Sequence, residues 1–382
     1  MSARRAAMAN AKAIKRKFHH LEQQKISEQL IWPVNRNTRL IPNPRGTLEN
    51  QPTREPDNVQ QSRGQEESIS SELNHVPWLA TYTQLPDKLA LEPFHYISSL
   101  PSKGIRKLAI EALDIWYKIS QESLDVIHSV IDMLHSSSLM IDDIEDNSTL
   151  RRGYPAAHMV FGTSQALNSS TYLFIKCLNE VQKLSPGAVS IFADELRNLY
   201  AGQAYDLHRT FLTECPTEEE YISMIDGKTG GLFRMASRLM RSEATQNKDL
   251  EVEELLTIMG RFFQIRDDYL NLLSIDYTSQ KGSFSDLDEG KFSFMLIHAL
   301  NTAKDTQLKS LVQMRSRQGN LSPEQKTLVM SHLRGSKSLK YTFKVLCDLQ
   351  REVEIQLEGI EAVEGVEGNM LIRAIMERLR IG

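Results

Sequence analysis

The sequence predicts an all-α protein built as one large helical bundle. Seven segments carry apolar residues at three- and four-residue spacing, which is typical of amphipathic helices. Strand-like alternation is nearly absent, and Pro101, Pro186 and Pro323 fall between the helical segments, where proline is tolerated. Polar groups on facing helices of a bundle project into its interior, so a functional site is expected there.

The predicted helices follow one another from residue 105 onward. They run over Ile105–Trp116, Ser123–Asp143, Ser164–Leu184, Val189–Leu207, Glu218–Arg241, Glu251–Leu273 and Glu324–Gly359. No repeat with a fixed period is apparent, so a solenoid is not expected.

Residues 1–75 differ in composition and are predicted to form a disordered basic and polar extension. The stretch from Asn35 to Ser71 is rich in Pro, Asn, Gln and charged residues, and it cannot bury enough apolar surface to fold. Six basic residues and no acidic residue lie within residues 1–20. This start suits a solvated tail in a cytoplasmic protein, and the alternative is an organellar presequence, such as a mitochondrial one.

Composition excludes several classes of function. The net charge is −4 and the basic residues concentrate at the N-terminus, so the acidic remainder does not suggest nucleic-acid binding. No apolar run approaches the roughly 20 residues that span a bilayer. The three cysteines are scattered without metal-ligand spacing, which indicates a reducing compartment.

An acidic cluster, Asp142-Asp143-Ile144-Glu145-Asp146, closes a helix whose earlier face is apolar. Asp142 and Asp146 are four residues apart and share one helix face, where like charges oppose each other. Mg²⁺ prefers oxygen ligands of this kind and would compensate the repulsion. Taken alone, the same cluster also suits an acidic helix end exposed to water.

A second pair of aspartates, Asp267 and Asp268, also follows an apolar helical face. Two helices that each end in adjacent aspartates can meet at one pocket and hold Mg²⁺ ions around a diphosphate. Metal coordination stabilises a leaving group as its charge develops. Together the clusters indicate ionisation of an allylic diphosphate.

The residues from Ser138 to Gly153 read SLMIDDIEDNSTLRRG. They closely resemble the first aspartate-rich motif of trans-isoprenyl diphosphate synthases, especially fungal geranylgeranyl diphosphate synthases. The second motif, QIRDDYLN from Gln264, is similar, although Asn271 replaces the family's third aspartate. The resemblance implies an isoprenoid synthase fold with a central apolar cavity and a catalytic domain over residues 76–382.

The resemblance further implies two diphosphate sites, one bound through metal and one held by cations alone. The catalytic residues would be Asp142, Asp143, Asp146, Asp267, Asp268 and Lys228, with three Mg²⁺ ions on Asp142, Asp146 and Asp267. Isopentenyl diphosphate would bind Lys103, Arg106, His135 and Arg152. The allylic diphosphate would bind Arg151, Lys228, Thr229, Gln264, Lys281 and Lys291, and Gln203 and Asp206 would face the allylic cation.

Product length is predicted from the residues that precede Asp142 on its helix. Ser138 and Ser137, four and five residues back, are small, whereas a bulky aromatic side chain there would stop growth early. The floor of the pocket is then expected deeper, at Ile131 or Leu134, or at Tyr172 and Phe174 on the next helix. This pattern favours a C20 product, and replacing Ser137 with Phe should shorten it.

The function predicted is condensation of isopentenyl diphosphate with dimethylallyl, geranyl or farnesyl diphosphate to give geranylgeranyl diphosphate, supplying diterpene biosynthesis. The alternatives are a farnesyl diphosphate synthase, a domain related to class I terpene cyclases, and an inactive regulatory subunit. A prenyltransferase half of a fused cyclase is also consistent with the motifs. A homodimer or higher homo-oligomer follows from the resemblance alone.

Overall fold

The computed structural model describes residues 85–273, 285–302 and 306–381. Within these ranges the chain forms fifteen helices and one short β-ribbon. The first eight helices are α1 Lys88–Ser99, α2 Ile105–Tyr117, α3 Gln121–Glu145, α4 Ala157–Phe161, α5 Thr163–Val181, α6 Ala188–Leu212, α7 Glu218–Lys228 and α8 Gly230–Ser242. The others are α9 Glu253–Leu273, α10 Ser285–Glu289, α11 Phe294–Thr302, α12 Thr306–Gln318, α13 Pro323–Gly335, α14 Ser338–Glu361 and α15 Met370–Leu379.

Helix α8 occupies the centre of the bundle. It packs against α2, α3, α6, α7 and α9, and its core residues Met235, Leu239 and Met240 are inaccessible to solvent. Around it, α3 packs on α5, α9 on α14, and α15 on α2. The all-α class predicted from the sequence is therefore confirmed.

Helix α3 shows why the apolar periodicity produces this arrangement. Its residues Val126, Ile127, Val130 and Ile131 follow the three- and four-residue spacing, and all are buried. The helix begins after Ser120, whose side-chain oxygen accepts a hydrogen bond from the Ser123 amide, as N-cap residues do. Its apolar stripe therefore faces the bundle, and its C-terminal end carries the first aspartate cluster.

Two of the predicted helices are each interrupted. The segment predicted over Glu218–Arg241 divides at Thr229 into α7 and α8, and the segment predicted over Glu324–Gly359 divides into α13 and α14. At the second break Lys337 has a φ of 59°, in the left-handed region that ends regular helix.

The β-ribbon is a feature that the sequence pattern did not indicate. Leu150–Arg151 pairs antiparallel with Tyr154–Pro155. The two residues of the turn, Arg152 and Gly153, have φ values of 57° and 83°, as a two-residue hairpin turn of type I′ requires. The hairpin follows the first aspartate cluster and fixes the positions of Arg151 and Arg152.

None of the described helices is both long enough and apolar enough to cross a membrane. The predicted extension over residues 1–75 lies outside the described residues.

Candidate active site

A cavity of about 290 Å³ lies between α3, α6, α7, α8 and α9. Its polar lining includes residues of both aspartate clusters, namely Asp142, Asp267 and Asp268. Its apolar lining consists of Leu139, Ile141, Leu199, Tyr200, Met224, Ile225, Leu232, Phe233 and Phe263. The structure thus brings together two clusters that are far apart in the sequence.

Asp142 is the centre of a charged network in the polar lining of the cavity. It lies 3.2 Å from the Lys228 ammonium and 3.3 Å from a guanidinium nitrogen of Arg151. Lys228 also contacts Asp206 at 2.7 Å. Burial lowers the pKa of Lys228, but Asp142 and Asp206 outweigh it and raise the pKa above its ordinary value. Lys228 is therefore charged.

Close packing of α6 and α7 places Lys228 in this network. Gly202 and Gly227 face each other, and a Cβ on Gly202 would lie 2.4 Å from the Lys228 amide nitrogen. A Cβ on Gly227 would lie 2.7 Å from the Asn198 carbonyl oxygen. Only glycine permits this backbone approach, so the pair sets the distance between Lys228 and Asp206.

Asp143 points away from the cavity and has no solvent exposure. Its carboxylate accepts two hydrogen bonds from Nε of Arg151, at 2.9 and 3.1 Å, and a further one from the same guanidinium. Arg151 is itself buried. Asp143 thus fixes Arg151, which then reaches Asp142.

Asp146, at the end of the first cluster, pairs with Lys291. Lys291 lines the cavity and also lies 2.8 Å from Glu289. Burial lowers the pKa of Lys291, yet Asp142 and Asp146 raise it well above its ordinary value. Lys281, which was also predicted to bind the allylic diphosphate, lies outside the described residues.

The second aspartate cluster divides into an accessible and a buried carboxylate. Asp267 is partly exposed and lies 3.9 Å from Lys103. Asp268 is buried and accepts hydrogen bonds from the Tyr221 hydroxyl at 2.7 Å, the Phe294 amide at 3.0 Å and the Gln264 side chain at 3.0 Å. Burial raises the pKa of Asp268 to about 7, and the charge of Asp286 adds to the effect.

Thr229 and Gln264 are joined across the cavity by a hydrogen bond of 2.8 Å between the Thr229 hydroxyl and the Gln264 side-chain oxygen. Gln203 donates to Glu145 at 2.7 Å and approaches Asp142 at 3.4 Å. All four polar residues line the cavity. The predicted allylic-site residues within the described ranges line the same cavity: Arg151, Lys228, Thr229, Gln264 and Lys291.

Three of the four residues predicted for the basic site lie near one another: Arg106, His135 and Arg152. Arg106 and His135 line the cavity, and Arg152 donates to the Leu100 carbonyl oxygen at 3.3 Å. Burial lowers the pKa of Arg106 to about 10, and the positive charge of Arg152 contributes. Burial also holds the pKa of His135 well below its ordinary value, with Arg106 and Arg152 lowering it further. The two guanidinium groups of Arg106 and Arg152 repel each other, so a bound anion would be favoured.

The two serines predicted to control product length are placed differently. Ser138 lines the cavity. Ser137 is buried against α5, where its hydroxyl donates to the Ser170 carbonyl oxygen at 3.0 Å. Tyr200 lines the cavity and contacts Phe174, with ring centres 5.5 Å apart. Ile131 borders a separate small cavity beyond Leu232 and Phe233.

The oxygen donors suit Mg²⁺. The part of the chain that the structure describes has no group of three acidic, His or Cys side chains arranged to hold a metal by itself. Mg²⁺ in phosphate-transfer sites typically uses one or two carboxylates together with substrate phosphates, so a larger protein cluster is not required. The Asn271 side-chain oxygen is buried at the cavity and accepts no hydrogen bond, which leaves an oxygen donor available.

The sequence analysis assigned no role to two polar groups of the site. Tyr221 lines the cavity and holds Asp268, and Glu145 receives the hydrogen bond of Gln203. Tyr221 lies seven residues before Lys228 on α7, so the shared helix face was a usable signal. Glu145 belongs to the predicted acidic cluster, but its contact with Gln203 could not be predicted, because that partner on α6 is 58 residues away.

A family model described as Polyprenyl synthetase matches residues 87–331, well over half of the chain. The chain belongs to the polyprenyl synthetase family. It is therefore a prenyltransferase, and enzymes of this family bind isoprenyl diphosphates and generally use Mg²⁺. The family resemblance inferred from the aspartate motifs is confirmed.

Several fungal terpene synthases are similar to this prenyltransferase. The bifunctional sesterterpene synthase astC of Talaromyces wortmannii is 47% identical over 305 residues, covering 78% of this chain and 40% of the relative. Conidiogenone synthase of Penicillium roqueforti is 46% identical, with 80% and 42% covered. Ophiobolin F synthase oblA of Cochliobolus heterostrophus is 42% identical, with 82% and 45% covered. The chain spans about two fifths of the length of these curated relatives.

Proposed function

We propose that this prenyltransferase condenses isopentenyl diphosphate with allylic diphosphates and releases geranylgeranyl diphosphate, for use in diterpene biosynthesis. The observation that carries the proposal is one cavity bordered by two unlike polar sites. One contains the aspartates Asp142 and Asp267, and the other contains the basic side chains Arg106 and His135. A transferase that joins two diphosphate substrates needs both.

The aspartate side would receive the allylic diphosphate. Mg²⁺ bound by Asp142, Asp146 and Asp267 would neutralise the diphosphate and favour its departure. Lys228, Lys291 and Arg151 are already directed at these carboxylates and would extend the positive environment to the phosphate oxygens. The remaining oxygen donor, Asn271, would complete the polar wall.

The basic side would hold isopentenyl diphosphate without metal. Arg106 and the imidazole of His135 lie at the cavity wall, and the positive charge of Arg152 is close to both. Lys103 lies 3.9 Å from Asp267, so the basic site and the aspartate site are adjacent. Guanidinium groups bind diphosphate oxygens through paired hydrogen bonds, so this set suits a second diphosphate.

The reaction then requires little covalent chemistry from the protein. The allylic C–O bond breaks with its electrons on the diphosphate, and the double bond of isopentenyl diphosphate forms the new C–C bond. The proton lost afterwards goes to the departing diphosphate, because the apolar lining of the cavity presents no basic side chain among the described residues. Orientation and electrostatics therefore supply the acceleration.

The apolar lining of the cavity sets the length of the product. Ser138 precedes Asp142 by about one helical turn on α3. Its small side chain leaves room for a chain longer than C15, which supports a C20 product. The sesterterpene synthase among the relatives favours C25 as the second candidate, since sesterterpenes contain 25 carbons. The aromatic pair Tyr200 and Phe174 is the proposed far wall.

A homodimer is part of the proposal. Helix α5 exposes the apolar side chains Leu167 and Ile175, which are 48% and 56% accessible, and α6 exposes Tyr200 beside them. Covering this face with a second copy would also cover the outer side of Tyr200, a residue of the cavity wall. Sedimentation equilibrium of the purified chain should give twice the monomer mass, and a monomer at micromolar concentration would exclude the dimer.

An isotope assay tests the proposed reaction. Purified protein is incubated with labelled isopentenyl diphosphate and dimethylallyl, geranyl or farnesyl diphosphate, with Mg²⁺ or with EDTA. We expect Mg²⁺-dependent incorporation of label into a C20 diphosphate. A mainly C15 product would identify a farnesyl diphosphate synthase, hydrocarbon formed without isopentenyl diphosphate would identify a cyclase, and no turnover would identify an inactive subunit.

A further inference from the structure

The segment that carries Lys291 is held from two opposite sides. Toward the cavity, Lys291 pairs with Asp146, and the Ser148 hydroxyl donates to Glu289 at 2.6 Å. Away from the cavity, Nε of Arg315 on α12 donates to the Asp288 carbonyl oxygen at 2.8 Å, with a second bond from the same guanidinium. The segment from Asp288 to Lys291 is therefore held in part by Arg315, a residue that does not line the cavity.

Lys326 on α13 adds an ion pair to the outer contact. Its ammonium lies 2.5 Å from the Asp288 carboxylate. Both Arg315 and Lys326 come from the α12–α13 helix pair, and neither lines the cavity. They contact the backbone and side chain of one residue, Asp288, which lies three positions before Lys291.

Gly290 makes this contact possible. Its φ is 82°, and a Cβ at this position would lie 1.8 Å from a guanidinium nitrogen of Arg315. The guanidinium thus lies directly over the glycine, at the residue before Lys291. A side chain here would be strained and would also displace Arg315.

We propose that Arg315, supported by Lys326, is a positioning residue that sets the location of the Lys291 ammonium at the allylic diphosphate site. The inference rests on the proposed function, because that function assigns a diphosphate to Lys291. Without Arg315 the segment would keep its cavity-side contacts and the ion pair between Lys326 and Asp288 but would lose both hydrogen bonds to the Asp288 carbonyl oxygen. Lys291 would then sample positions in which it cannot reach a bound diphosphate. Misplacement by about 1 Å can cost roughly 100-fold in rate.

The test compares Arg315→Met with Arg317→Met, since Arg317 lies on the same helix and is exposed. We expect Arg315→Met to raise KM for the allylic diphosphate about 10-fold or more while KM for isopentenyl diphosphate stays within about twofold. Arg315→Lys, which keeps one charged donor, should recover part of the loss. Arg317→Met should match the wild type.

A double-mutant cycle with Lys291→Met separates positioning from general destabilisation. If Arg315 acts through Lys291, then Arg315→Met should have little further effect on allylic kcat/KM once Lys291 is replaced. Independent, multiplicative losses would overturn the inference, and so would equal increases in both KM values.

Binding of inorganic diphosphate in the presence of Mg²⁺, followed by calorimetry, provides a readout besides turnover. Arg315→Met should weaken this binding about 10-fold or more, and unchanged binding would overturn the inference. An inactive wild-type protein would overturn the proposed prenyl transfer, whereas an active wild type with an unaffected Arg315→Met variant would overturn only the positioning role.

Discussion

The close contact between Gly202 and Gly227 predicts that a larger side chain at position 202 displaces Lys228. In Gly202→Ala the added Cβ would lie 2.4 Å from the Lys228 amide nitrogen and 2.7 Å from the Met224 carbonyl oxygen. Both neighbours are backbone atoms, so relief requires movement of a helix rather than of a side chain. The shorter distance falls about 1 Å below the 3.4 Å at which ordinary contact begins.

A shift of this size acts directly on the charged network. The Lys228 ammonium lies 2.7 Å from Asp206, and a displacement of about 1 Å would take this pair beyond hydrogen-bonding distance. Overpacking of a tight helix contact costs about 1–3 kcal/mol of unfolding free energy. Misplacing a catalytic group by about 1 Å can lower kcat/KM roughly 100-fold.

Urea denaturation and prenyl transfer kinetics measure the two effects. Gly359→Ala on α14 is the matched control, because a Cβ there meets no atom within 4 Å. The control should keep full activity and gain up to about 1 kcal/mol of stability, since alanine favours helix. Gly202→Ala with kcat/KM within threefold of the wild type would refute the idea that this contact positions Lys228.

Three further predictions concern single side chains. Tyr221→Phe removes the hydroxyl that donates to buried Asp268, so urea denaturation should show a loss of about 1.5–3 kcal/mol, and unchanged stability would contradict the assigned hydrogen bond. Asp143→Asn weakens the buried pair with Arg151; the allylic KM should rise about 10-fold or more in steady-state assays, and a change confined to isopentenyl diphosphate would contradict this role. Ser138→Phe fills part of the cavity about one turn before Asp142 on α3, so chromatography should show a shift from C20 toward C15; an unchanged product would mean that the chain grows elsewhere.

The sequence predicted the parts of the fold that depend on local periodicity. The apolar stripe of α3 and the aspartates at its end follow from three- and four-residue spacing, and the structure places them as expected. The division at Thr229 could not be predicted in this way, because the apolar pattern continues through it. A tertiary contact accompanies the division: a Cβ on Gly260 would lie 3.2 Å from the Gly230 backbone, so α8 and α9 meet closely there.

In the site, too, residues within local motifs could be predicted, whereas contacts that depend on distant parts of the chain could not. Asp142 and Asp267 were recognisable from their motifs, as were the cations that surround them. The inward turn of Asp143 toward Arg151 depends on a hairpin whose turn residue, Arg152, adopts a positive φ. Arg315 carries no sequence signal, since its partner Asp288 lies 27 residues away on another helix.

The central claim is that one cavity holds two unlike diphosphate sites, and titration calorimetry tests it most directly. Isopentenyl diphosphate and a non-hydrolysable thio analogue of farnesyl diphosphate are each titrated into the protein with Mg²⁺ and with EDTA. We predict that isopentenyl diphosphate binds in both buffers and loses affinity in Arg106→Met, while the farnesyl analogue binds only with Mg²⁺. Failure of isopentenyl diphosphate to bind, or its strict dependence on Mg²⁺, would contradict the account.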